Sequence, residues 1–77
     1  MKMRLKEGRD HHVYEVEDMH LEPGLERRMG ALGLTKGTRV EILNNQKEGA
    51  VIVKFRGTRF ALGRKIADRI LIREAVQ

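Results

Sequence analysis

The chain contains no cysteine, tryptophan or serine among its 77 residues, and only one proline. Without cysteine there is no thiol nucleophile, no thiolate zinc site, no iron–sulfur cluster and no disulfide. Without serine there is no Ser–His–Asp triad. Aromatics are scarce: Tyr14, Phe55 and Phe60 are the complete set. Long apolar runs are missing too. The stretch Ala50 to Val53 is among the longest, far short of the roughly 20 residues that span a bilayer. The basic start MKMRLKEGRD lacks the apolar segment of a secretory signal. These absences predict a small cytoplasmic protein with no membrane insertion and no catalytic centre. The length predicts one domain over residues 1–77, with the thin core expected at that size.

Charge is abundant instead. Sixteen Lys and Arg stand against eleven Asp and Glu, for a formal charge of +5. Residues 1–26 hold four of the bases and seven of the acids, so they are negative by three. Residues 27–77 are positive by eight. A basic second half suits an acidic partner, nucleic acid or anionic lipid, or serves solubility alone.

Periodicity predicts the order β, α, β, β, β, α, β. A strand spans His12 to Asp18, with Tyr14, Val16 and Asp18 on one face. Met3 and Leu5 precede it as a short strand or an anchored loop. Pro23 fits the first turn of a helix in which Leu25, Met29 and Leu32 share a face. Gly33 ends it as a C-cap, while Gly30 sits inside it. Strands follow at Thr38 to Leu43, Ala50 to Phe55 and Arg59 to Leu62. The polar loop 44–49 and the tight turn Arg56-Gly57 separate them. Gly63 to Arg69 makes about two helical turns, and Ile70 to Ile72 closes the chain. So many short strands predict a mainly β protein, a small SH3-like barrel of about five strands with two short helices. An α+β sheet with both helices on one face is the alternative.

No motif carries catalysis. The segment 30–37 has glycines but lacks the Gly-Lys-Ser/Thr ending of a phosphate loop. His11, His12 and His20, near Glu15, Glu17 and Asp18, are the candidates for a weak divalent metal, iron(II) or zinc. On a strand, however, His11 and His12 would face opposite ways. No cofactor is therefore expected firmly. The bases Lys54, Arg56, Arg59, Arg64, Lys65, Arg69 and Arg73 allow a nucleic-acid reading. It is disfavoured because Phe55 and Phe60, the aromatics that could stack bases, are required by the core.

Two segments together resemble the FeoA family. Arg28-Met29-Gly30-Ala31-Leu32-Gly33-Leu34-Thr35-Lys36-Gly37-Thr38-Arg39-Val40 is similar to that family's RL-x-x-(M/L)-G-L-x-P-G-x-x-V signature. Lys36 stands where the family usually has proline. Phe60 through Ile72 resembles its closing strand, helix and strand. The resemblance covers about residues 5–73, and the same fold occurs as the C-terminal domain of metal-dependent repressors. It implies a free-standing accessory protein of bacterial ferrous iron uptake, a monomer or weak dimer. Such a protein would contact the cytoplasmic region of a FeoB-like GTPase permease. On this reading Leu25, Met29, Leu32 and Leu34 are either core or a partner groove. Arg28, Arg56, Arg59 and Arg64 are either docking charges or a solvated face.

Overall fold

The computed structural model describes residues 3–46 and 48–75. Lys47, within the expected loop, lies outside them. The sheet has six antiparallel strands. These are β1 (Met3–Arg4), β2 (Val13–Met19), β3 (Arg39–Asn45), β4 (Val51–Phe55), β5 (Thr58–Leu62) and β6 (Ile70–Glu74). Their spatial order is β1-β6-β2-β3-β4-β5. The mainly β, SH3-like expectation stands, with one strand more than expected, because Met3 and Arg4 pair with Ile72 and Leu71. A 3-10 turn at Leu5–Glu7 follows β1 and buries Leu5 completely. Two helices complete the chain, α1 (Pro23–Leu32) and α2 (Arg64–Ala67). Among the described residues no strand joins β5 to β1, so the sheet is open at both edges.

Alternation places the core. Tyr14 and Val16 of β2, Val40 and Ile42 of β3, and Val51 and Val53 of β4 point inward with Ile70 and Ile72 of β6. The buried Tyr14 keeps its hydroxyl satisfied by accepting from the Arg9 backbone N–H at 3.0 Å. Asp18 does not share that inner face, as alternation alone would have it. The pairing of β2 with β6 shifts register between Val16 and Asp18, and the extra residue Glu17 turns Met19 inward instead. A second shift, between Ile42 and Asn44, carries β3 on through Asn45. The expected loop therefore begins two residues later than the polar composition suggested.

Helix α1 ends in a Schellman motif. Gly33 adopts φ 104°, its N–H reaches the Gly30 carbonyl at 3.0 Å, and the Leu34 N–H reaches the Met29 carbonyl at 2.9 Å. This reversal decides which leucine is buried. The chain folds back so that Leu34 packs beside Met29, at 1% and 7% exposure, while Leu32 is left 44% exposed. The expectation that Leu25, Met29 and Leu32 form one buried face thus holds for Met29, partly for Leu25, and fails for Leu32.

Between β4 and β5, Arg56 and Gly57 both have positive φ, 52° and 78°. That is the backbone of a type I′ turn, whose twist suits a hairpin. Phe55 and Phe60 stack across the hairpin at 4.3 Å between ring centroids. No helix among the described residues is long and apolar enough to cross a membrane.

Candidate partner-docking surfaces

A groove of about 550 Å³ runs between the start of α1 and α2. Its apolar lining is Leu21, Leu25 and Ile66, each packed on the core yet partly open. Glu22 and His20 stand at one side, Lys65 and Arg69 at the other. The His20 N–H donates to the Arg69 carbonyl at 2.8 Å, which fixes the two sides together. Among the described residues neither Lys65 nor Arg69 has a side-chain hydrogen bond or ion pair. A smaller hollow of about 350 Å³, lined by Arg4, His20, Asp68, Arg69 and Leu71, adjoins the groove and shares His20 and Arg69 with it. There the acid is already paired: Asp68 Oδ1 lies 3.0 Å from Arg4 Nη1 and 2.9 Å from Lys6 Nζ. The hydrogen bond from Lys6 above all, with the positive charges of Lys6 and Arg4, holds the Asp68 carboxyl below its ordinary range against an opposing desolvation.

Of the partner-contact candidates that the sequence singled out, the structure brings only Leu25 into this groove, where it joins the metal candidate His20. Met29 and Leu34 are buried. Leu34 lines a separate hollow of about 300 Å³ with Met19, Glu26, Arg27, Thr35 and Lys36. The Lys36 ammonium lies 3.4 Å from Asp18. The Asp18 carboxyl is pushed down chiefly by the Met19 backbone N–H, which donates to it at 2.8 Å, with Lys36 and His20 adding to the effect against some desolvation. Both shifted carboxyls therefore favour the charged form, the opposite of what a general acid at neutral pH needs.

Arg64 has a different role from the docking charge it resembled. Its guanidinium donates to the carbonyls of Gln46, of Gly49 at 3.0 Å and of Lys6 at 3.2 Å, and to Asn45 Oδ1 at 3.3 Å. Asn45 in turn donates through its amide to the carbonyls of Lys6 and Gly8 at 2.8 and 2.7 Å. These two side chains clip the β3–β4 loop, the N-terminal 3-10 turn and α2 together. Arg56 and Arg59 remain exposed on the β4–β5 hairpin. The Arg56 stem lies over Gly33, where an added Cβ would stand 2.2 Å from Arg56 Cδ. This places a cation at the C-terminal end of α1, where the helix dipole favours it. Leu32 and Arg28, one turn apart on α1, are also exposed.

The histidines do not converge. His11 sits in the turn before β2 with φ 67°, so the alternation argument, which assumed a strand at His12, does not govern it. His20 follows the far end of β2, about 20 Å away at strand rise, and faces Asp18 at 3.7 Å. No three His, Asp or Glu among the described residues are placed to hold a metal ion. The residues present do not fit a metal centre.

Leu21 and Ile66 complete the groove without having been singled out in the sequence, and Lys65 and Arg69 stood out there only as bases of a nucleic-acid reading, not as a protein-docking pair. Ile66 between bases on a short helix was the available signal. The approach of α2 to α1, 40 residues away in the chain, had none.

The sequence model of the FeoA domain matches residues 3–74. No curated protein matches the chain. Among solved structures, the chain is similar to a crystal structure of an iron uptake regulatory protein, FeoA, at 26% identity. The match covers 95% of this chain and 96% of that one, with a TM-score of 0.82. The zinc complex of Stenotrophomonas maltophilia FeoA, described as a prokaryotic SH3 domain protein, matches at 29% identity and TM-score 0.78, over 92% and 89% of the two chains. The solution structure of Chlorobium tepidum FeoA matches at 25% identity and TM-score 0.87, over 96% and 71%. A manganese-dependent transcriptional repressor shares the fold at 20% identity, with the chain spanning 42% of its length.

Proposed function

Because the chain belongs to the FeoA family, we propose that it is a cytoplasmic, non-catalytic accessory of ferrous iron uptake that docks on the cytoplasmic region of a FeoB-like permease. The observation that carries this reading is the groove between α1 and α2. It is concave, its floor is Leu21, Leu25 and Ile66, and its rim holds the two unpaired bases Lys65 and Arg69. Such a groove suits a segment that presents apolar anchors beside carboxylates, as amphipathic helices do. Apolar burial supplies affinity there, while Lys65 and Arg69 orient the partner and raise its on-rate. The chain's part in iron uptake is then contact, with the ion handled by the permease.

Titrating the isotopically labelled protein with the cytoplasmic domain of such a permease tests the proposal. Amide shifts are expected at Leu21, Leu25, Ile66 and Arg69. The exposed pair Lys65→Glu and Arg69→Glu should weaken binding by about tenfold or more without unfolding the protein. Absence of shifts at high protein concentration, or unchanged affinity in the double variant, would overturn the proposal.

A further inference from the structure

The outer edge of β5 is an open sheet edge, separate from the groove. Strand β5 pairs with β4 in the register Phe55↔Thr58, Lys54↔Arg59, Val53↔Phe60 and Ile52↔Ala61. Phe55 and Thr58 close a two-residue turn, so they exchange hydrogen bonds, and the pattern alternates from there. The N–H and C=O groups of Arg59 and Ala61 consequently point away from β4. Among the described residues no strand lies beyond them to accept those bonds.

The edge strand and its turn carry bases and no acid. Lys54 of β4 and Arg59 of β5 are directly opposed like charges at a non-hydrogen-bonded site, where side chains approach closely. Glu41 stands opposite Lys54 on β3, two strands in from the edge, without forming an ion pair with it. Arg56 adds a third base in the turn. No carboxylate among the described residues pairs with any of the three. On the opposite face of β5 the half-buried Phe60 is stacked on Phe55. One face of the edge is thus basic and the other apolar.

We infer that the β5 edge takes an extended acidic segment of a partner protein as an added strand, its carboxylates beside Arg59, with Lys54 one strand behind adding to the positive field, and its alternate apolar side chains beside Phe60. Unpaired edge backbone supplies affinity in such pairing, and the alternating faces supply specificity. A second copy of this chain is disfavoured as the occupant, because a two-fold pairing of the same edges would bring basic residues against basic residues. A nucleic-acid strand lacks the alternating backbone donors and acceptors, and Phe60 is already stacked.

The test uses the peptide acetyl-Thr-Glu-Val-Glu-Val-Glu-Thr-amide, the same peptide with Lys for Glu, and a form N-methylated at alternate residues. With the acidic peptide, the Arg59 and Ala61 amides should shift and exchange with solvent markedly more slowly. The lysine and N-methylated peptides should leave both exchange rates unchanged. Ala61→Pro removes an outward N–H that the β4–β5 ladder does not use, so the hairpin tolerates it. It should weaken peptide binding by about fivefold or more. Arg59→Glu, which keeps the strand whatever the fate of the proline variant, should reverse the preference toward the lysine peptide. Several results would overturn the inference: shifts without slowed exchange, equal binding of the N-methylated peptide, tighter binding of an oligothymidylate, or amides slowed by raising protein concentration alone. None of these depends on the α1–α2 groove, whose amides report separately.

Discussion

Arg64 shows how a charge can be structural on a small protein. Its guanidinium reaches backbone carbonyls at positions 6, 46 and 49 and the Asn45 side chain, groups that an ammonium cannot satisfy together with one rigid fork. Arg64→Met should therefore cost about 1.5–3 kcal/mol of stability, the range for hydrogen bonds to charged groups. Arg64→Lys should recover less than half of it. Urea unfolding of the two variants measures both, and a loss below about 0.5 kcal/mol would place Arg64 with ordinary surface residues. In the sequence, Arg64 was one base in a run of bases. Nothing local distinguishes it from Arg59, because its partners lie in segments 15 to 58 residues away. Asn45 was hidden for a similar reason: asparagine next to asparagine reads as turn chemistry, whereas here its side chain supplies the hydrogen bonds of a neighbouring segment.

At the scale of elements, α1 is the most instructive. Its bounds and its glycine cap were legible from Pro23, the leucine spacing and Gly33. Which leucine would be buried was not, since the helical wheel treats Leu32 as equivalent to Leu25 and Met29. The Schellman reversal substitutes Leu34 for it. Gly30 inside this helix and Gly33 at its cap should respond oppositely to alanine. At Gly30 an added Cβ meets only Thr35 Cγ2, at an ordinary 3.8 Å, so Gly30→Ala should stabilise by about 0.5–1 kcal/mol. Gly33 holds φ 104°, and Gly33→Ala should destabilise by about 1–2 kcal/mol through the left-handed backbone, besides displacing the Arg56 stem. Thermal unfolding of both variants checks the opposite signs. Apart from β1, which was left open as strand or loop, the strands were read correctly in kind and order. Their register was not, because the shifts around Glu17 and Leu43 are set by pairing across the sheet and leave no mark in hydrophobic alternation.

For the molecule as a whole, the two shifted carboxyls fix the direction of its acid response. Asp18 and Asp68 both titrate below their ordinary value of 3.8 when folded. As pH falls, the unfolded chain takes up these protons first, so the folded state loses ground. Stability from the two groups is complete above the ordinary value and is lost as pH drops through the folded values. The urea midpoint should accordingly fall with acid below about pH 4, and the variant carrying Asp18→Asn and Asp68→Asn should show a shallower decline. An equal slope in wild type and variant would assign the acid response elsewhere. Finally, the strand order has a consequence for synthesis. Strand β6, made of residues 70–74, lies between β1 and β2. Strands β1 and β2 therefore have no direct bond to each other in the sheet, although they are neighbours in sequence. They are joined only when residues 70–74, made long after both, arrive between them. The β2–β3–β4–β5 meander can pair as it emerges, whereas β1 has no place in the sheet until β6 is released. A nascent chain stalled before residue 70 would carry β2 with a bare edge, the condition that invites holdase binding or mispairing.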